Sequence, residues 1–275
     1  MLNASIVLYN HTISEIAPLI ETLKKAGVVS EIFLLDNSLK PTPEFELLQL
    51  TYIFNNKNLG YGAAHNIAIR HTFEQNIPFH LVINPDIAFD PDILDEIVRY
   101  MNNNPDIGHL MPKVYYPNGG IQYLCKLLPT PFDLIFRRFF PKSWTRNKTA
   151  EFEMRATGYD KIMDVPYLSG SFMFLRTEAL QKVGIFDERF FMYPEDIDLT
   201  RRIHKKYRTI FFPEVSIIHK HAQGSYINIK MLFIHISNMI KYFNKWGWIF
   251  DKERKQTNKE IMRQFRNYQS NILRK

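Results

Sequence analysis

The 275-residue chain has one cysteine, three tryptophans and no apolar run long enough to cross a bilayer. A lone Cys125 excludes an internal disulfide, so the expected setting is a reducing compartment. The opening MLNASIVLYN lacks a basic region, and its apolar run is too short for a signal peptide. A cytoplasmic location is therefore expected. No internal repeat is visible. A dinucleotide-binding fingerprint is also missing. In NKNLGYGAAHNIAIR, Gly60 and Gly62 precede a helical pattern, but His65 stands at the third small position and the stretch follows the third strand, which argues against a nicotinamide enzyme.

Basic charge is scarce over most of the chain. The formal net charge is +7, yet 11 Lys or Arg and only three acidic residues follow residue 227, which leaves 24 basic and 25 acidic groups before it. The body has no basic groove, and a nucleic-acid partner is not expected. The basic tail suits an anionic membrane face.

What is present is ordinary globular composition, 45% hydrophobic and 23% charged, in an alternating order. ASIVLYN, EIFLLDNS, TYIF and FHLVIN read as four strands, separated by helical patterns that include one capped by Ser14 and one capped by Asp90 with Pro91 at its first position. Apolar runs without internal alternation predict a mixed, mainly parallel sheet flanked by helices, an α/β fold. A strand and a hairpin around Asn118-Gly119-Gly120 follow, then a long insertion without clear period from about residue 127 to 163. After it come a strand with a short helix capped by Thr177, a charged helix EDIDLTRRIHKK, and two short strands in RTIFFPEVSIIHKH.

In parallel sheets ligands bind beyond the carboxyl ends of the strands. Asn10, Asp36, Asn37, Asn84 and Asp86 all fall at such ends. The segment HLVINPDIAFDPDILDEI contains two Asn/Asp-Pro-Asp units: the second starts a helix, and the first leaves Asp86 at a strand end where packing does not require a carboxylate. Gly60 and Gly62 suggest a backbone approaching a phosphate or sugar. Glu195, Asp196 and Asp198 cluster at a helix start behind Phe190, Phe191 and Tyr193, an environment that desolvates a carboxylate and suits a general base. His219 and His221 alternate at the end of the last strand. With Asp86, an imidazole makes a reasonable open site for a hard or borderline divalent ion.

Taken in order, SIVLYN, LLDNS, NKNLGYGAAHNIAI, LVINPDIAF, YLSGSFMFLRTEALQKVGIFDERFFMYPEDIDLTRRI and IIHKHAQGS resemble the family 2 glycosyltransferases of the GT-A fold, most closely the rhamnosyltransferase-like branch that builds bacterial surface polysaccharides. The resemblance spans roughly residues 3 to 225. It implies a nucleotide-sugar donor, a glycan or polyprenyl-linked acceptor and a divalent cation, Mg2+ or Mn2+. It also implies roles. Asp36 would contact the base or ribose, Asn66 would help shape the donor pocket, and Asn84-Pro85-Asp86 would stand for the Asp-x-Asp motif with Asp86 on the metal. His219 would be a second metal ligand, Asp196 the catalytic base with Glu195 beside it, and Gly170 and Ser171 the acceptor side. Many relatives carry a carboxylate where Asn84 stands, so donor phosphates would supply much of the coordination.

The expected organisation is a GT-A catalytic domain over 1–226, with a nucleotide-binding half to about 112 and an acceptor-binding half from 113. A basic amphipathic helical extension follows over 227–275, with Ile229, Leu232, Phe233, Ile236, Ile240 and Phe243 as its apolar stripe. That extension is expected to pack its stripe on the catalytic domain and expose its charges or, beyond that, to attach peripherally to the inner membrane face. The expected activity is inverting transfer from dTDP-rhamnose or a UDP-sugar. The rival is a catalytically silent sugar-nucleotide or glycan-binding module of the same fold. Intact Asp86, Asp196 and His219 favour the enzyme.

Overall fold

The computed structural model describes residues 1–136, 140–220 and 229–272. β1 (Leu2–Leu8), β2 (Val29–Asp36), β3 (Thr51–Phe54) and β4 (Phe79–Ile83) run parallel in the order β3-β2-β1-β4. α1 (Ile13–Lys25) connects the first two strands and α2 (Tyr61–Glu74) the last two. Period two decides what each face buries. Leu2, Ala4, Ile6 and Leu8 pack with Ile16, Leu19, Ile20 and Leu23 of α1, and with α3 (Ile93–Asn103), on one side. Phe33, Leu35 and Val82 face α2 on the other. Each buried Leu or Ile contributes roughly 1.5–3 kcal/mol.

The α2 face also carries a polar fastening. The Ser5 hydroxyl bonds His65 Nδ1 at 2.7 Å and His80 Nε2 at 2.8 Å, and His80 Nδ1 reaches the Thr72 hydroxyl at 2.7 Å. Burial pushes His80 down to about 3 and His65 well below its usual range, so both rings stay neutral at physiological pH. These bonds pin α2 to the sheet.

The second half of the sheet is mixed. β10 (Phe172–Arg176) lies antiparallel between β4 and β6 (Ile107–Tyr115). Next to β6 runs β11 (Arg208–His219), and β5 (Ile87–Ala88) closes the edge against the end of β11. β8 (Met163–Asp164) pairs with β11, while β7 (Cys125–Lys126) and β9 (Tyr167–Leu168) form a separate ribbon. The two short strands expected near residue 210 are one strand. Its register jumps between Phe212 and Ser216, because Pro213 has no N–H for the ladder and the chain bulges there before resuming.

Several other expectations need correction. α1 is capped by Thr12 with Glu15 in a capping box rather than by Ser14. α3 starts at Ile93, after an Asp90-Pro91-Asp92 turn in which the Asp92 N–H donates to Asp90 Oδ1 at 3.1 Å. Thr177 opens α6 (Thr177–Val183) but does not cap it; its hydroxyl donates to the Ile77 carbonyl at 2.8 Å. The stretch 127–163, expected as a long insertion without clear period, contains short regular elements among its described residues. It holds α4 (Pro131–Leu134) and α5 (Lys142–Phe152), and buries Phe152, Met154, Tyr159 and Met163. Its apolar positions show no period because they are shared among several short elements.

α7 (Glu195–His204), expected as a charged helix, is buried along most of its length, and Asp198 is fully covered. The extension forms α8 (Ile229–Trp246) and α9 (Lys252–Ile272), which share one hydrophobic cluster with the body through Met239, Tyr242, Phe243 and Ile261 against Met111, Phe190 and Ile197. The expected stripe is displaced. Asn238, Met239, Tyr242 and Phe243 face inward, while Phe233 and Ile240 are exposed.

Candidate active site

β1, β2 and β4 end on one rim. Asn10 stands there exposed, with φ 57°, a left-handed value Asn tolerates, and its N–H donates to the Ser38 hydroxyl at 2.7 Å. Buried Asp36 accepts from the Ser38 N–H at 2.9 Å and from the Tyr52 hydroxyl at 2.8 Å, which aims the carboxylate. Asn37 donates to the Gly60 carbonyl at 3.1 Å and accepts from Asn55 Nδ2 at 2.9 Å, fastening the glycine turn.

The glycines themselves are corrected. A Cβ on Gly60, at φ 87°, would lie 2.3 Å from the Phe191 carbonyl oxygen, and one on Gly62 would lie 2.8 Å from Phe186 Cβ. The space expected for a phosphate is filled by the 186–191 loop. Asn66 has the same concern: its amide donates to the Phe186 carbonyl at 2.9 Å and to Glu188 at 3.0 Å, and accepts from the Phe186 N–H at 3.0 Å. It holds that loop on α2.

Asp86 and His219 are brought together by strand pairing. β5 lies antiparallel to the end of β11, with His219 opposite Ile87, and Asp86 Oδ1 stands 3.2 Å from His219 Nε2. The His219 Nδ1 faces Gln122 Oε1 at 3.0 Å. A carboxylate and an imidazole nitrogen at this separation require a proton or a cation beside them, and the pair fits a hard or borderline divalent ion. Among the described residues, no group of three or more His, Cys, Asp or Glu is placed to hold a metal. His221 lies outside the described residues.

Asp196 sits in the first turn of α7. Its Oδ2 accepts from the Gly170 N–H at 2.8 Å and its Oδ1 from the Ile197 N–H at 2.7 Å. Gly170 is needed here, since a Cβ would come within 3.0 Å of the Asp196 Cβ. Burial pushes the Asp196 carboxyl up, against the Gly170 hydrogen bond and the nearby Lys126 charge. Burial raises Glu195 as well, and the adjacent Asp196 charge raises it further. Glu195 Oε2 and the Ser171 hydroxyl are buried, with no hydrogen-bond partner among the described residues. The preceding Tyr193 has φ 88°, a strained value for a bulky residue that costs on the order of 1–3 kcal/mol. It is held by the Asn238 amide, which donates to the Met192 carbonyl at 3.1 Å, and by a Tyr193–His235 ring contact at 4.9 Å.

One residue the sequence reading missed joins these parts. The Tyr61 hydroxyl donates toward Asn84 Oδ1 at 2.9 Å and the Gly170 carbonyl at 2.7 Å, and the Asn84 N–H donates to the Ser171 carbonyl at 2.9 Å. Burial, followed by the charges of Glu195, Asp196 and Asp86, pushes Tyr61 well above its usual range. The charges of all three acids therefore act on one hydroxyl. Lys126, over the Tyr167 ring at 5.2 Å, was also missed. No local signal marks either residue, because Tyr61 and Gly170 lie 109 positions apart.

Two solved structures share this fold. GalNAc-T7, solved with UDP, GalNAc and Mn2+, superposes with a TM-score of 0.58 at 14% identity, over 79% of this chain and 42% of its own. Mannosyltransferase PcManGT of Pyrobaculum calidifontis, solved with GDP-Man and Mn2+, gives 0.54 at 17% identity, over 87% and 64%. These likenesses establish a GT-A fold. The N-acetylglucosaminyl-diphospho-decaprenol L-rhamnosyltransferase of Mycobacterium tuberculosis H37Rv is 30% identical over 182 residues, or 61% of this chain. The chain spans 58% of that relative's length. A family model described as glycosyltransferase like family 2 matches residues 44–253, most of the chain, and the chain belongs to that family.

Proposed function

We propose that the protein is an inverting glycosyltransferase that moves a sugar from a nucleoside-diphosphate donor, dTDP-rhamnose or a UDP-sugar, to a hydroxyl of a glycan or lipid-linked saccharide in bacterial surface polysaccharide assembly. The observation that carries this reading is the frame Asn84–Tyr61–Gly170–Asp196, which ties the rim bearing Asp86 to a desolvated carboxylate. The name of the mycobacterial relative supports a lipid-linked acceptor, and the nucleotides and Mn2+ in the two structures support the donor class and a divalent ion.

Asp196 is the base. The Gly170 and Ile197 N–H groups hold an ionised Asp196 carboxylate, whereas Glu195 Oε2 has no hydrogen-bond partner among the described residues, so Asp196 ionises while Glu195 keeps its proton and avoids a second buried charge. The acceptor hydroxyl gives its proton to Asp196, its oxygen bonds the anomeric carbon, and the bond to the diphosphate breaks with the electron pair leaving on the nucleotide. Attack opposite the leaving group inverts the centre. Asp86 and His219 would hold a divalent cation, which neutralises the departing diphosphate when bound. Asp86 and His219 would be its two protein ligands, leaving the remaining ligands to come from the donor. Asp36 orients the nucleoside, and Gly170 and Ser171 face the acceptor.

The chain also presents a surface suited to an anionic bilayer. Ile249 and Phe250 are 70% and 90% exposed at the turn between α8 and α9, next to exposed Lys252 and Lys255. Among the described residues no helix is long and apolar enough to cross a membrane. Peripheral attachment to the inner face of the cell membrane through this turn is part of the proposal.

Asp196→Asn tests the chemistry. The variant is expected to bind nucleotide-sugar with Mn2+ as the wild type does, read as the same ligand-induced rise in melting temperature. Its transfer rate is expected to fall roughly 10²–10⁴-fold. Near-normal turnover would refute the assignment. A wild type that binds donor yet neither transfers nor hydrolyses it would point to the silent module.

A further inference from the structure

We propose that Gln122 is a positioning residue that fixes the tautomer of His219, leaving the Nε2 lone pair aimed at Asp86 for a hard or borderline divalent cation. The inference rests on the reading of Asp86 and His219 as a cation seat, and concerns how that seat is made.

A neutral imidazole carries one N–H, and which nitrogen bears it decides whether the other can bind a metal. Gln122 removes that freedom. Its Nε2 donates to the His219 main-chain carbonyl at 2.7 Å and lies 3.4 Å from the Tyr115 carbonyl. Both neighbours are pure acceptors, so the amide nitrogen must face them and Oε1 must face the ring. Oε1 lies 3.0 Å from His219 Nδ1 and can only accept. Nδ1 therefore carries the hydrogen, and Nε2, 3.2 Å from Asp86 Oδ1, is the ring atom left to share a proton or a cation with that carboxylate. Gln122 and His219 are both 4% exposed, so water does not readily replace either bond.

The Gln122 backbone is equally constrained. Its N–H donates to the Val114 carbonyl and its carbonyl accepts from the Leu124 N–H, both at 2.9 Å. The turn Asn118-Gly119-Gly120, with Gly119 at φ 81°, folds the chain back so that Ile121 bridges Tyr115. Tyr115 pairs with Ile218, next to His219. The hairpin thus delivers one amide to the end of β11, where it bonds the same histidine through both ring and backbone.

Two measurements on the full chain test this. In the metal-free wild type at pH 8.5, long-range 1H–15N correlation spectra should show His219 protonated at Nδ1, with the signal identified by its loss in His219→Asn. In Gln122→Leu, the same ring should populate both tautomers. Mn2+ affinity, read by electron paramagnetic resonance of the free ion, should fall roughly 10–100-fold in Gln122→Leu, as for other residues that orient a metal-binding histidine. In Asp86→Asn it should be lost. A wild-type ring without a proton on Nδ1 overturns the proposal. So does an unchanged Mn2+ affinity in Gln122→Leu when Asp86→Asn has lost it. If Asp86→Asn binds Mn2+ as the wild type does, the cation-seat reading fails instead, and the proposal falls with it. Should Gln122→Leu not fold, the wild-type spectrum decides alone.

Discussion

Asp196 has a raised carboxyl because burial costs it more than two backbone N–H groups and a nearby lysine return. The sign of the consequence is definite. A base must be ionised, and ionisation here begins above the ordinary aspartate value of about 4. The acidic limb of log kcat/KM against pH should therefore lie above that value and disappear from the residual activity of Asp196→Asn. A limb at or below pH 4 would contradict the environment described. Asp86, Asp196 and His219 could be seen in the sequence because each sits where a strand ends or a helix begins, and such positions expose polar groups for chemistry. Gly60 and Gly62 misled, since a glycine reports only that something comes close. Here that something is Phe191 and Phe186, more than 100 positions away. Gln122 and Tyr61 carried no signal, because a glutamine in a hairpin and a tyrosine at a helix start are unremarkable until the fold supplies their partners.

At the scale of elements, α7 depends on the helices that follow it. Asp198, at 0% side-chain exposure, accepts from Trp246 Nε1 at 2.8 Å and pairs with Lys245 at 2.6 Å and Arg202 at 2.8 Å. Arg201, 2% exposed, holds Asp251 through two 2.8 Å bonds and stacks 4.1 Å from the Trp246 ring. Such a pair contributes little over an apolar substitute, but breaking one side strands a buried charge. Asp251→Asn should lower the unfolding free energy by about 3–5 kcal/mol, measurable as a shift in urea midpoint. A midpoint like that of the wild type would mean that Arg201 finds other support. The charge pattern of EDIDLTRR reads only as a charged helix because the partners of Arg201 and Asp198 in α8 and at the start of α9 lie about 50 residues downstream, beyond any local period.

At the scale of the molecule, the parallel β3-β2-β1-β4 half was legible from apolar runs and their spacing. The mixed half was less so, since β5, β7, β8 and β9 have two residues each and gain their identity from their neighbours. The displaced face of α8 changes how membrane attachment should be tested. Cutting the chain at Lys241 would remove Tyr242, Phe243 and Asp251 and disrupt the core. Ile249→Glu with Phe250→Glu alters only exposed side chains. The wild type should float with vesicles rich in phosphatidylglycerol and not with pure phosphatidylcholine, each basic group near the surface adding about 1 kcal/mol. The double variant should stay at the bottom of the gradient, and equal flotation would remove this turn as the anchor.

The fifty-residue gap between Arg201 and Asp251 also bears on the birth of the protein. A ribosome adds roughly 5–20 residues per second, so α7, which bears the proposed base Asp196, emerges seconds before its counter-ions. Until the segment of α8 and α9 clears the exit tunnel, the nascent chain has a nearly finished parallel half-sheet and an unseated α7. The proposed competence thus waits until α8 and α9 close over α7.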